Sequence, residues 1–399
     1  MRRRQYTITS RDVQLHAAHV CQKYLKLRDH GPKCRANVLL TILLYAAARI
    51  TSLAAACTAL LKAPSDQAVR DALAATLPNI HELQRRINRA LADGLPRCLR
   101  RRPQPLAIDL VLIPYHGEPF EDPNEVYRGQ AKSGTSHFHA YATVYVICKG
   151  RRFTLAVTFV CKGEKLEDVL KRLLKQAAKT GVKPRYLLLD RGFYSVGVIR
   201  YLQYARYHFV MPVVCRGRKV EHPKGPSGTR VFLTWRRSGW GTYTLRDAKK
   251  RKATLSICVK CRNYRGQWKR HGRQRLVYGY WGLSPSSYQW VYETYRLRFG
   301  IESSYRQMHQ ARIRTCSRDP LIRLLFVGIA LILRNVWVWL HWEVLSHPRR
   351  GGRRFDLNQL PFRAMLSWIR QAAESLLGIR DGMQSEHPLD PIGNSLSER

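Results

Sequence analysis

Acidic residues are scarce in this chain, 27 against 70 Lys and Arg, so a carboxylate in an apolar setting is informative. Asp109 lies inside the run LAIDLVLI at 106–113. An ionised carboxylate there is costly unless a cation or a metal pairs with it. Asp190 closes the run RYLLLD at 185–190, where a strand gives way to the turn RGFYS. Strand ends are where sites form in open α/β sheets. Each acid also has a plain reading: Asp109 paired with one of many arginines, Asp190 bonded to turn amides. A third acid, Glu302, sits in a helical segment at 288–312. Tyr295, Arg298, Glu302 and His309 follow one another there at i, i+3, i+7 and i+14, within roughly 60° of one stripe, with Arg306 beside it. Such a face presents one carboxylate among a phenol, guanidinium groups and an imidazole. An acid that helps hold a metal, next to groups that grip phosphate, suits phosphoryl transfer on a nucleic acid. A solvated basic face with a helical ion pair is the alternative.

The elements that must position these residues fall into distinct stretches. Residues 1–100 read as helical: the Ala/Leu-rich run 38–61 is too long for a strand, and Ser65 or Asp66 can cap a further helix. A short helix, a turn and a capped helix there suit either a helix-turn-helix or an ordinary helical bundle. The basic, proline-marked segment 96–105 reads as a linker. Then come a strand at 106–113, a hairpin made of 138–148 and 151–161, and an amphipathic helix at 164–180 closed by Gly181. A strand at 185–190, a helix at 195–206 and a strand at 208–214 follow. Three strands, helix, strand, helix, strand is the order of the RNase H-like fold, a mixed α/β sheet covered by helices.

Residues 215–285 read as a β-rich insertion carrying Trp235, Trp240, Trp268 and Trp281. The RNase H-like unit thus divides into 105–214 and 286–345. The apolar helix at 320–345 has Arg323 and Arg334 at the ends of its uncharged stretch. Together with the run 38–61, interrupted by Arg49, it is shorter than the roughly 20 apolar residues a bilayer span needs, so both read as core helices. A C-terminal helical segment occupies 346–380, and a polar tail at 381–399 is expected to be disordered.

A formal net charge of +43 calls for a polyanionic partner, and nucleic acid fits best, ahead of an anionic membrane or an acidic protein. The 10 cysteines are scattered and no apolar signal segment opens the chain, which suits reduced thiols and a cytoplasmic, nucleoid-associated location. Cys258 and Cys261 form one CxxC that lacks a second pair; Cys215, His222 or His271 would have to complete a zinc site, and two ordinary strand thiols are the simpler reading. His116, His137 and His139 read as surface or hydrogen-bonded histidines before they read as zinc ligands. The acidic run Glu118, Glu121, Asp122 and Glu125 reads as a solvated loop, and is a reserve source of ligands.

Tyr295, Arg298 and Glu302 resemble the Y-x2-R-x3-E signature around the last acid of insertion-sequence DDE transposases. The strand with Asp109 and the motif Asp190-Arg191-Gly192-Phe193-Tyr194 look like the first two acidic motifs of that group, and the β-rich insertion is similar too. The resemblance covers roughly 105–340. It implies a DNA transposase that cleaves element ends and joins them to target DNA, with Asp109, Asp190 and Glu302 as catalytic metal ligands. Two Mg²⁺ ions are implied, with Mn²⁺ as a substitute. It also implies Tyr295, Arg298, Arg306 and His309 as DNA contacts, a homodimer on double-stranded DNA, and a flipped base stacked on one insertion tryptophan. The group commonly carries Lys seven residues after the Glu; His309 stands there, and Arg306 or Arg312 are the candidates to fill that role. A nuclease of the same fold without strand transfer, or a non-catalytic nucleic-acid-binding protein, are the competing readings.

Overall fold

A computed structural model describes residues 7–380, apart from 149, 266–270 and 351; the tail at 381–399 and Trp268 lie outside the described residues. Six helices open the chain: α1 (Ser10–Leu25), α2 (Ala36–Arg49), α3 (Leu53–Ala59), α4 (Asp66–Thr76), α5 (Ile80–Ala92) and α6 (Arg97–Arg101). Their starts follow from local capping. The Thr9 hydroxyl accepts from the Asp12 N–H while the Asp12 carboxylate accepts from the Thr9 N–H, and Ser52, Ser65 and Asn79 cap α3, α4 and α5 the same way with one side-chain oxygen. The apolar run 38–61 is two helices and not one: Ile50 takes a left-handed φ of 53°, and α3 leaves α2 at 106°. The segment expected to be a linker instead folds into α6, with Leu99 buried, and leads directly into the first strand.

The strands are β1 (Gln104–Pro114), β2 (Tyr127–Lys132), β3 (Thr135–Val146), β4 (Thr154–Val160), β5 (Pro184–Leu189), β6 (Phe209–Pro212), β7 (Gly239–Arg246), β8 (Lys252–Arg265) and β9 (His271–Trp281). They form a single sheet of 9 strands in the order β4-β3-β1-β5-β6-β9-β8-β7, with β2 sharing the β4 edge of β3. β1 pairs antiparallel with β3 and parallel with β5, and β5 pairs parallel with β6. The helices between them are α7 (Leu166–Ala178) and α8 (Val196–Tyr204). This is the RNase H-like order expected from the sequence. The three strands of 215–285 continue the same sheet, because β9 runs antiparallel to β6 from Phe209–Trp281 to Pro212–Tyr278.

The long helix expected at 288–312 is divided. α9 (Tyr288–Arg296) passes through a 3-10 turn at Leu297–Phe299 into α10 (Gly300–His309), which ends three residues early. Gly300 sits at the break because the backbone passes the Arg152 guanidinium there: a Cβ would lie 3.0 Å from its central carbon. Then come α11 (Pro320–Trp339), continued by a π-type turn to Leu345, the small hairpin β10 (His347–Arg349) and β11 (Gly352–Arg354), and α12 (Phe362–Leu377).

The segment Pro320–Leu345 has a mean hydropathy of 2.0, enough for a membrane span, but 89% of its apolar window is buried within the protein. It is a core helix packed against α5, α1 and α10, and it reaches the sheet beside α5 at β4. Arg323 and Arg334, which flank its uncharged stretch, are themselves buried, 8% and 1% exposed. The otherwise open edge of β4 is covered by side-chain amides. Asn335 of α11 accepts from the Thr154 N–H at 2.9 Å and donates to the Thr154 carbonyl at 2.8 Å. Asn88 of α5 does the same for Val157, at 2.8 and 2.9 Å, and Gln84 accepts from the Phe159 N–H at 3.0 Å. These amides stand in for a neighbouring strand and close an edge that would otherwise template aggregation. They also tie the N-terminal helices to the sheet.

Candidate active site

Two acids meet because two parallel strands are in register. Ile108 of β1 stands opposite Leu189 of β5, so the next residues, Asp109 in the middle of β1 and Asp190 just past the end of β5, sit side by side. Glu302 arrives from α10. The three carboxylates face one guanidinium: Arg298 lies 2.9 Å from Asp109 Oδ2, 3.3 Å from Asp190 Oδ1 and 3.9 Å from Glu302 Oε1. The Arg298 and Asp109 side chains are 9% and 16% exposed, whereas those of Asp190 and Glu302 are 41% and 53% exposed. The 3-10 turn carries Arg298 to this position. Its guanidinium also lies 5.7 Å from the centre of the Tyr295 ring.

Burial raises the Asp109 pKa to about 6, and the neighbouring Asp190 charge adds to that; the Arg298 guanidinium and the Leu110 N–H, which donates at 2.8 Å, only partly offset it. Burial opposes charge on Arg298, but Tyr295, Asp109 and Asp190 outweigh it and raise its pKa. Burial likewise holds Tyr295 protonated. Tyr305 fixes α10 against the sheet: its hydroxyl is 2.7 Å from that of Thr143, which pairs with Asp109 across β1 and β3.

Beside the acids opens a cavity of about 710 Å³. Of the residues expected at the site, Asp190, Tyr295 and Arg298 line it; Asp109 and Glu302 do not, and neither do Arg306 and His309, which are exposed on α10. Partial desolvation by its neighbours, with the charges of Arg312 and Lys132, shifts the His309 pKa below its ordinary value. The wall also carries Arg191, Arg262, Arg275 and Arg296, with Tyr278, Tyr292 and Phe299. Arg191 and Arg296 adjoin the acidic motifs in sequence, a usable signal. Arg262 and Arg275 lie on β8 and β9 and arrive only because those strands extend the sheet. No tryptophan among the described residues lines this cavity; its aromatic groups are tyrosines and a phenylalanine. Trp240, 40% exposed, packs instead at 4.5 Å on Tyr288.

The other candidate clusters separate. Cys258 and Cys261 are an odd number of residues apart on β8, so they point to opposite faces; burial pushes the Cys258 thiol up to about 12, and Cys261 lies 3.6 Å from the Trp235 carbonyl. His116 is exposed, while His139 is buried against Tyr115, ring centres 4.7 Å apart. Among the described residues no three His, Cys, Asp or Glu side chains close tightly enough to enclose a metal ion, so the three acids as arranged are spread about Arg298. Their chemistry nonetheless fits a hard divalent cation: all donors are carboxylate oxygens, and the buried one carries a pKa raised by burial, which a bound cation would lower.

An RNase H-like sheet that brings an acid from its central strand, an acid from the next strand end and an acid from a following helix to one point defines a class of nucleic-acid-processing proteins. Within that class the match is specific. The family model described as "Transposase DDE domain" matches residues 100–336, more than half of the chain, and the protein belongs to that family. It is a DNA transposase, of an enzyme class that cleaves and joins DNA strands. No curated protein sequence matches it. Among solved structures it is similar to the piggyBac transposase in a cryo-EM synaptic complex with hairpin DNA, with a TM-score of 0.51 and 12% identity over 91% of this chain and 80% of that one. At that identity the likeness concerns the fold.

Proposed function

We propose that Asp109, Asp190 and Glu302 are the catalytic carboxylates of this transposase and hold the divalent cations, Mg²⁺ or Mn²⁺, that its reaction uses. The observation that carries this reading is the convergence of three carboxylates, from three separate elements, on the single guanidinium of Arg298. Bound there, such cations supply Lewis-acid activation of the attacking oxygen and charge stabilisation of the leaving one. The guanidinium of Arg298 stands in for that positive charge and is free to turn to a phosphate oxygen once the acids are otherwise neutralised. Tyr295, protonated and buried, positions Arg298 and is no nucleophile.

The cavity beside the acids seats DNA in this reading. Arg191, Arg262, Arg275 and Arg296 neutralise backbone phosphates there, and Phe299, 48% exposed at its rim, offers a face on which an extruded base can stack. The helix-turn-helix candidate, α3 followed by the Ser65-capped α4, is a second DNA contact in this reading. Two element ends must be held together for strand transfer, so a homodimer on DNA is part of the proposal.

The test is divalent-cation-dependent cleavage and joining of a duplex carrying the DNA ends that flank this gene. Glu302→Gln should abolish both steps and leave duplex binding within about twofold, since it removes one exposed charge. Cleavage that persists in Glu302→Gln sinks the assignment of the third acid. Light scattering of the protein–DNA complex reads the dimer, and one protomer per duplex end without pairing sinks that part.

A further inference from the structure

A second cavity, of about 230 Å³, opens where the end of β1, the start of β3 and the segment after α10 meet. Its wall carries Arg312, Arg314 and Arg323 together with His139, Tyr141 and Thr315. Among the described residues none of the three arginines has a carboxylate within salt-bridge distance. Asp122 and Glu125 line a neighbouring cavity that shares His139 and Tyr141, and they too stay out of that distance. Arg323 is 8% exposed; it donates to the Ser317 carbonyl at 2.6 Å and lies 4.6 Å from the centre of the Tyr115 ring. Burial and the charges of Arg323 and Arg314 lower the Arg312 pKa. His139 is 3% exposed, and its Nε2 is buried without a hydrogen-bond partner among the described residues. Burial and Arg323 hold its pKa down at about 3, so the ring is neutral and its Nε2 can carry a proton to donate.

Most of the positive charge of this protein lies on an exposed surface, where water screens it. Here the half-buried Arg312 and the buried Arg323, together with the exposed Arg314, share one concave wall with an unsatisfied buried nitrogen. Uncompensated charges in such a setting repel one another and lose hydration. The partner that balances them has negative charge and several acceptor oxygens within one small volume, which describes a phosphate group.

We propose that this cavity is a second phosphate site, which seats one backbone phosphate of the bound DNA apart from the scissile bond. Ile113 in its wall lies four residues beyond Asp109 on β1, a span of about 13 Å at the rise of a strand. A duplex whose scissile phosphate lies at Asp109 passes within reach. The naming of DNA as the source rests on the transposition reading; the phosphate site itself does not.

The test uses the full chain, its Arg312→Gln and Arg314→Gln variants, and inorganic phosphate against chloride at matched ionic strength. Thermal unfolding should show phosphate raising the Tm of the parent. Arg312→Gln should keep or raise the anion-free Tm, because it removes a repelled charge, and should lose phosphate affinity by about tenfold or more, the loss of one charge-assisted hydrogen bond. Equal stabilisation of parent and variants by phosphate, or none of the parent, overturns the site. Addition of a short duplex should then release the phosphate from the parent. Phosphate and duplex bound together without competition overturn the DNA source and leave a site for free phosphate. None of these readings depends on cleavage, so failure at this cavity is distinct from failure of the three acids.

Discussion

Replacing Arg298 by Met keeps most of the side-chain volume and removes the cation that faces all three carboxylates. The contact that matters is with Asp109, at 2.9 Å, because both side chains are buried, 9% and 16% exposed. Asp190 and Glu302 are 41% and 53% exposed, so water already screens their share. Removing one partner of a buried ion pair costs about 3–5 kcal/mol, and the partial exposure of Asp109 puts the expectation at about 3 kcal/mol at pH 7.5. The loss has a pH signature. Asp109 already has its pKa raised to about 6, and without the guanidinium it rises further, so at pH 5 the carboxyl is protonated and needs no partner. Chemical denaturation of parent and Arg298→Met, at pH 7.5 and pH 5, measures both. A double-mutant cycle with Asp109→Asn should return a coupling of about 2–3 kcal/mol at the higher pH. A loss under about 1 kcal/mol, or one of equal size at both pH values, would refute the view that Asp109 depends on Arg298 for its charge.

The remaining expectations concern the surroundings of the acids. Because the folded pKa of Asp109 lies above its unfolded value, ionisation of this group opposes folding by roughly 3 kcal/mol above pH 6, a term that fades as pH falls toward 4; metal-free Asp109→Asn should therefore lack the parent's loss of stability between about pH 4 and 7, and parallel profiles would contradict the raised pKa. Arg334, fully buried, donates to Ser304 Oγ at 2.8 Å and to the Arg152 carbonyl, and thereby holds α10 against the core. Arg334→Ala should cost about 3 kcal/mol and reduce cleavage through the displacement of Glu302; full activity would show that α10 needs no such anchor. Asn335→Leu should leave three backbone groups at the β4 edge and α5 end unpaired, those of Thr154 and Leu91, lower stability by about 2–4 kcal/mol and promote aggregation seen by light scattering. An unchanged Tm would mean that water serves that edge as well.

Local pattern determined much of this protein. An acid in an apolar run, an acid at the end of another and a Tyr-Arg-Glu spacing on a helix named Asp109, Asp190 and Glu302, and the hairpin, α7, α8 and α12 follow from periodicity and turn chemistry that act within a few residues. What those signals cannot carry is the partner across the fold. That β9 pairs with β6, and so delivers Arg262 and Arg275 beside Asp190, is set by a contact some seventy residues apart in the chain. Arg298 reads from the sequence as a phosphate-gripping member of the helical stripe; that it faces Asp109 and Asp190 as well as Glu302 depends on how the segment Leu297–Phe299 meets the sheet. Arg323 and Arg334 bracket the uncharged stretch of an apolar helix in the sequence, and packing makes one a wall of a cationic cavity and the other a brace for α10. Charge and hydropathy are properties of a residue, and a sequence displays them. Whether a charge is solvated, paired or left facing its own kind depends on which surfaces pack together, and only the tertiary structure decides that.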